Sequence, residues 1–171
     1  MLAAQAIKTN LEACGIRVRL DNDETKTPGS KYFKWELKGV PIRIEIGPRD
    51  LAHSQAVVAD RLGLQKDSVG FHTIPTHVTA LLDTVHNQLY ERASARLKAM
   101  WFKGDKLIDF GPKLEHEGGL YQVGWCGSAE CEQLLKDYKA FTRCLIDEHM
   151  APHCFACDRT SQQDVLVAKA Y

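Results

Sequence analysis

The seven residues from Val40 to Ile46 do most to limit what this chain can fold into. Val40, Ile42, Ile44 and Ile46 alternate with Pro41, Arg43 and Glu45. That is the period of a strand with one buried face, and the isoleucines are β-branched. Gly47-Pro48 ends it, because proline cannot donate to a sheet ladder. Upstream, Lys38-Gly39 is a helix C-cap signal, which predicts a short helix over Ser30 to Lys38. Helix, tight turn, strand and turn therefore follow in close succession. Glu36, Arg43 and Asp50 recur at intervals of seven, each near an element end or on the polar strand face. By spacing alone, such charges are solvated, paired with one another, or gathered at a site.

In chain order, Leu2 to Cys14 has the pattern of an amphipathic helix capped by Gly15. Ile16 to Leu20 alternates apolar residues with Arg17 and Arg19, predicting a strand whose charged edge is a solubilising face or, as the less common case, one that faces RNA. A polar turn runs from Asp21 to Gly29. Short strands are expected at Gln55 to Ala59 and at the edge segment Val69 to Thr73. From Pro75 a long helix carries one apolar stripe: Val78, Leu81, Leu82, Val85, Leu89, Ala93 and Leu97. This order predicts an α/β layer structure with a mixed sheet. Composition shifts at Lys103-Gly104-Asp105, which sets domains at 1–103 and 104–171.

Four cysteines carry the clearest chemistry. Cys126 and Cys131 enclose four residues, and Cys154 and Cys157 enclose two. Two such pairs fit a tetrahedral zinc site, and four ligands close the coordination sphere, so the metal is structural rather than catalytic. Lys136, Lys139, Arg143 and Arg159 are available to offset the thiolate charge. Cys144 follows Phe141 at helical spacing and is expected as a buried small apolar residue. A thiol redox centre on Cys154 and Cys157 is the competing chemistry. It lacks the preceding strand and following helix of the thioredoxin arrangement.

Thr27 to Lys31 (TPGSK) and Trp35 to Asp50 (WELKGVPIRIEIGPRD) closely resemble the anticodon-binding domain of prolyl-tRNA synthetases of the archaeal and eukaryotic-like type. The resemblance implies that Glu36, Arg43, Arg49 and Asp50 read the two guanines common to proline anticodons. It also implies a sheet of about five strands flanked by helices. The chemistry is independently sound. A carboxylate accepts from the adjacent N–H donors of guanine's Watson–Crick edge, and an arginine donates to O6 and N7. In the second half CGSAEC, Thr142-Arg143-Cys144, CFAC and the terminal VAKAY resemble that family's C-terminal zinc-binding domain, in the same order. There the resemblance implies Cys126, Cys131, Cys154 and Cys157 as ligands, and a terminal tyrosine, here Tyr171, turned towards the catalytic domain. The fold expected is thus an α/β, mixed-sheet anticodon-binding domain with flanking helices, then a small α+β zinc-binding domain.

Charge and missing motifs bound this reading. Lys+Arg and Asp+Glu both number 22, which argues against a general electrostatic RNA binder and for a local site. No apolar run reaches the ~18 residues of a membrane span, and a cytoplasmic setting is expected. A class II core needs an arginine-bearing strand–loop motif for the adenylate and a glycine-rich strand ending in an arginine; neither is found, nor is a phosphate-cradling glycine-rich loop. The expectation is a C-terminal piece of a proline–tRNA ligase. Its class II catalytic domain, with its ATP site, lies elsewhere in a parent chain expected to dimerise. The partner is then tRNA(Pro). A free-standing tRNA-binding accessory protein that reuses the same domain pair is the alternative.

Overall fold

A computed structural model describes residues 2–169. Ala170 and Tyr171, and with them the expected role of the terminal tyrosine, lie outside the described residues. The chain divides into two compact units, Met1–Glu91 and Arg92–Tyr171.

In the first unit α1 (Leu2–Ala13) buries Ile7 and Leu11, one helical turn apart on the apolar side. Helix α2 (Pro28–Leu37) begins where Thr27 Oγ1 accepts from the Ser30 N–H at 3.4 Å, with proline at the first helical position. It ends at Lys38, and Gly39 follows at φ +79°, the left-handed residue that the C-cap signal called for. Strand β1 (Ile42–Glu45) comes next, then α3 (Pro48–Ala52), β2 (Gln55–Asp60), β3 (Lys66–Gly70) and the long helix α4 (Ile74–Ala99), whose residues from Arg92 on fall in the second unit. The sheet order is β1-β2-β3, antiparallel throughout. Ala56 and Val58 of β2 meet Ile74, Val78 and Leu81 of α4 and the two apolar residues of α1 in one core, against which Ile42, Ile44 and Ile46 pack.

The α/β class is as expected, but several details differ. Ile16 to Leu20 pairs with no strand; Ile16 and Val18 pack on the core as an extended segment. The sheet accordingly has three strands rather than about five, and the edge strand is Lys66–Gly70, displaced towards the chain start from the segment expected. The apolar stripe of α4 is buried as far as Val85, whereas Leu89 and Leu97 are exposed. No described residue belongs to a helix long and apolar enough to cross a membrane.

The second unit is built on a mixed sheet of order β4-β5-β7-β6: β4 (Trp101–Lys103), β5 (Leu120–Trp125), β6 (Ala140–Ile146) and β7 (Gln163–Lys169). Only β4 and β5 run parallel. Trp101–Lys103, on the first-domain side of the boundary expected from composition, is therefore hydrogen-bonded into the second sheet. Helix α5 (Leu107–Glu117), α6 (Ala129–Gln133) and a 3-10 turn at Leu134–Tyr138 complete it. Phe110, Leu114, Val123, Leu135, Val165 and Val167 form its core. Cys144 lies on β6 rather than on a helix and is exposed, because a register shift between Thr142 and Cys144 breaks the strand's alternation there.

Candidate nucleic-acid interface and four-cysteine centre

In the first unit the polar face of β1 and one face of α2 meet over a shallow cleft. Tyr32, Trp35, Glu36, Arg43, Asp60 and Arg61 are among the residues that line it. Arg43 is held on three sides. Its Nη1 donates to Glu36 Oε1 at 2.8 Å, and its Nε donates to Glu45 Oε1 at 2.8 Å. The guanidinium carbon lies 4.0 Å from the centroid of the Tyr32 ring, a cation–π distance. Tyr32 and Glu36 reach the same guanidinium because they are four residues apart on α2. Arg43 and Glu45 share a strand face because they are two apart.

Asp60 supports the cleft from the end of β2. Although its side chain is buried, it accepts from the Leu62 and Gln65 N–H groups at 2.6 and 2.5 Å, closing the β2–β3 turn. Burial alone would raise its pKa, but those backbone donors outweigh it and the carboxyl is held below its ordinary range. Arg61 Nη1 donates to the Gly39 carbonyl at 3.2 Å, tying the end of α2 to the same turn.

The resemblance-derived residues are thus placed unequally. Glu36 and Arg43 are joined in one ion pair. Asp50 instead caps α3, its Oδ2 accepting from the Gly47 N–H at 2.8 Å. Arg49 is exposed on α3, and among the described residues it has no ion pair. Glu45 and Tyr32 were not singled out as site residues. The signals that could have found them were there: Glu45 shares the polar alternation of β1, and Tyr32 sits one helical turn before Glu36.

With Arg43 and Glu36 side chains 26% and 49% exposed, their pair is worth only ~0.2–1 kcal/mol to stability. Its structural effect is orientation. A fixed guanidinium keeps unused N–H donors for an acceptor edge, and Glu36 keeps a free carboxylate oxygen for an N–H edge.

The second unit brings all four predicted cysteines together, with every Sγ within 4.8 Å of the others. Cys126 lies 3.7 Å from both Cys131 and Cys157, sulfur to sulfur. Zinc–thiolate bonds of about 2.3 Å imply tetrahedral sulfur–sulfur edges of about 3.8 Å, so this donor set fits a four-sulfur metal site. The fold dictates the gathering. Cys126 follows the last residue of β5, and Cys131 is buried on α6. Between Cys154 and Cys157, Phe155 is plugged into the core against Phe110, and its backbone N–H donates to the Gly124 carbonyl at 2.8 Å. Gly124 is required there, since any Cβ would collide with the His153 carbonyl.

Burial, together with the neighbouring thiols, pushes the Cys131 thiol up to about 12. Cys157, exposed beside Arg159, is drawn down to about 6, chiefly because the Arg159 Nε donates to its sulfur at 3.2 Å. Of the four cations expected to offset thiolate charge, Arg159 is the one the structure places on a sulfur. Lys139 pairs with Glu115 at 2.9 Å, and Arg143 donates to the Lys169 carbonyl.

An α/β unit with a shallow cleft bordered by an Arg–Glu pair is thus followed by a unit carrying a four-cysteine cluster, and comparison with known proteins places this pair of units in a family. Residues 1–81 match the family described as "Anticodon binding domain" and residues 107–171 match "Prolyl-tRNA synthetase, C-terminal". The chain belongs to the prolyl-tRNA synthetase family, in the part that carries these two domains. It is 40% identical over 171 residues to the proline–tRNA ligase of Acetoanaerobium sticklandii, covering 98% of this chain and 36% of that protein. With the proline–tRNA ligase of Methanococcoides burtonii it shares 36% identity over 174 residues, covering 99% of this chain and again 36% of the relative. The chain thus spans little more than a third of the length of these relatives. In structure it is similar to the prolyl-tRNA synthetase of Cryptosporidium parvum crystallised with L-proline and AMP. That match has a TM-score of 0.86 at 25% identity and covers 99% of this chain and 37% of that one.

Glu45 gives the cleft a pH signature. Burial by itself would raise its pKa above the ordinary 4.5, but the hydrogen bonds from Arg43 and Tyr32 outweigh burial and the net shift is downward. A carboxyl depressed in the folded state contributes stability that is complete above its unfolded pKa. That contribution is lost as pH falls through the folded value. Acid thermal melts of the first unit should therefore show a smaller loss of Tm on acidification for Glu45→Gln than for the wild type. Parallel pH dependence in the two proteins would contradict the assignment.

Proposed function

We propose that this chain is the tRNA-reading portion of a proline–tRNA ligase, its first unit recognising the anticodon of tRNA(Pro). Its class II catalytic domain, with the ATP site, lies elsewhere in a longer parent chain that works as a homodimer in the cytoplasm. The observation that carries the reading is the Arg43–Glu36 pair, fixed at 2.8 Å beside a shallow cleft. Guanine is the base whose edges match both groups, offering adjacent N–H donors to a carboxylate and O6 with N7 to an arginine. Unstacked anticodon bases leave those edges free. Arg49 and Asp50, at the start of α3, are proposed to complete the contact. Asp50 does so with whichever acceptor capacity its capping bond leaves.

The four cysteines are proposed to hold one structural Zn²⁺. Four thiolates close the coordination sphere, so the metal supplies folding free energy rather than Lewis acidity at a substrate. This chain's own residues prepare the place: Phe155 anchors the second cysteine pair, and Arg159 offsets part of the thiolate charge.

Two outcomes test these readings. The chain should bind an anticodon stem-loop of a proline tRNA, and Glu36→Ala or Arg43→Ala should each weaken that binding about ten- to hundredfold. This corresponds to roughly 1–3 kcal/mol for one lost base contact. A hairpin with both guanines changed to adenine should be scarcely affected by either substitution. Equal losses on both hairpins, or none on either, would contradict guanine reading. Separately, the purified chain should contain about one zinc per molecule by elemental analysis. A strong chelator should unfold the second unit while leaving the first folded. A metal-free, normally folded second unit would rule the zinc site out.

A further inference from the structure

Trp35 belongs to the walls of both the Arg43 cleft and a second, open groove. Arg19, Lys34 and Lys38 line the groove, with Asn22 and the carboxylates Asp21 and Asp23. Lys34 on α2 and Lys38, its C-cap residue four positions on, place their ammonium groups 4.9 and 5.0 Å from the Trp35 ring centroid. The indole itself is held edge-on, its Nε1 donating to Asp21 Oδ2 at 2.7 Å.

The acids of the groove are already engaged. Asp21 takes the indole, Lys31 at 3.5 Å and Lys34 at 3.8 Å, and Asp23 accepts from the hydroxyl and the N–H of Thr25. Among the described residues Arg19 and Lys38 have no ion pair. Two uncompensated cations and a partly compensated one therefore border one aromatic wall. Arg19 is there because Ile16 and Val18 turn into the core, which leaves the alternate residues of that extended segment outside.

We infer that the groove formed by Arg19, Lys34 and Lys38 around Trp35 is a second RNA site, one that takes the phosphodiester backbone of the strand whose bases enter the Arg43 cleft. The inference deepens the anticodon reading and rests on it for the choice of RNA. The two sites divide the work in the usual way, with base edges specifying and phosphates positioning. Lys34 sits on the same helix as Tyr32 and Glu36, and Lys38 caps it, so a phosphate held there fixes the strand relative to Arg43. The half-buried indole serves as the wall against which the two ammonium groups are held. The arrangement suits a chain whose overall formal charge is zero, since the positive field is local rather than spread over the surface.

The test is a salt titration of the 171-residue chain binding two fluorescent hairpins. One is the proline anticodon stem-loop and the other has its two guanines replaced by adenine. Variants Arg19→Gln and Lys38→Gln should each reduce the slope of log K against log salt by about 0.7–0.9, the value for one phosphate contact. At any one salt concentration each should weaken both hairpins by the same factor. Lys38→Arg should keep the wild-type slope, which separates charge from helix packing, and a melting curve checks that each variant is folded.

An unchanged slope in Arg19→Gln and Lys38→Gln would overturn the groove, even if Arg43→Ala still abolishes discrimination between hairpins. A reduced slope in a protein that never discriminates them would support the groove while removing the anticodon reading. No binding of the wild type to either hairpin at low salt would overturn both. A loss seen only with a polyglutamate peptide, and not with RNA, would replace the RNA backbone with an acidic protein partner.

Discussion

Strand β1 has to serve two environments. Ile42, Ile44 and Ile46 must face the core of the first unit, and with a period of two this forces Arg43 and Glu45 onto the opposite side. Everything at the cleft follows from that constraint. Arg43 emerges beside α2, where Tyr32 and Glu36 are already turned towards the sheet, and Glu45 arrives from its own strand to hold Nε. A shift of β1 by one residue would bury the arginine and expose the isoleucines. Core and site are therefore specified by the same register.

The second unit applies a different constraint to a similar end. Its cysteines come from two places far apart in sequence, and their approach depends on backbone contact rather than on thiol chemistry. Gly124 lets the His153 carbonyl close on β5, and Phe155 fastens the intervening loop into the core. These packing contacts bring the two cysteine pairs side by side. The metal proposed there would then add stability to a geometry that the fold favours.

Much of this was legible in the sequence wherever a signal was local. The alternation of β1, the Lys38-Gly39 stop, the N-terminal helix and the spacing of the cysteine pairs each rest on short-range rules, and each has its counterpart in the structure. What failed depended on tertiary context. Ile16 to Leu20 has strand periodicity but no strand beside it, because Ile16 and Val18 are satisfied by packing on the core. The α4 stripe continues in sequence past Val85, yet burial does not follow it to Leu89. Phe141 to Leu145 fits both helical and strand spacing over so short a run, and the sheet resolved the ambiguity. The supporting residues Glu45, Tyr32 and Trp35 matter through partners on other elements. The periods of β1 and α2 give the faces on which they lie, but not the partners they meet there.

The central claim is that Arg43 and Glu36 meet guanine edges, not merely RNA. Chemical footprinting of the bound anticodon hairpin tests it most directly. Kethoxal reports the Watson–Crick edge of guanine, and dimethyl sulfate reports N7. The account predicts that the wild-type chain shields the two anticodon guanines at the edges these groups contact. Glu36→Ala should restore kethoxal reactivity and Arg43→Ala should restore N7 methylation, in proteins that remain folded and bound. Guanines that stay fully reactive to both reagents in the wild-type complex would contradict it.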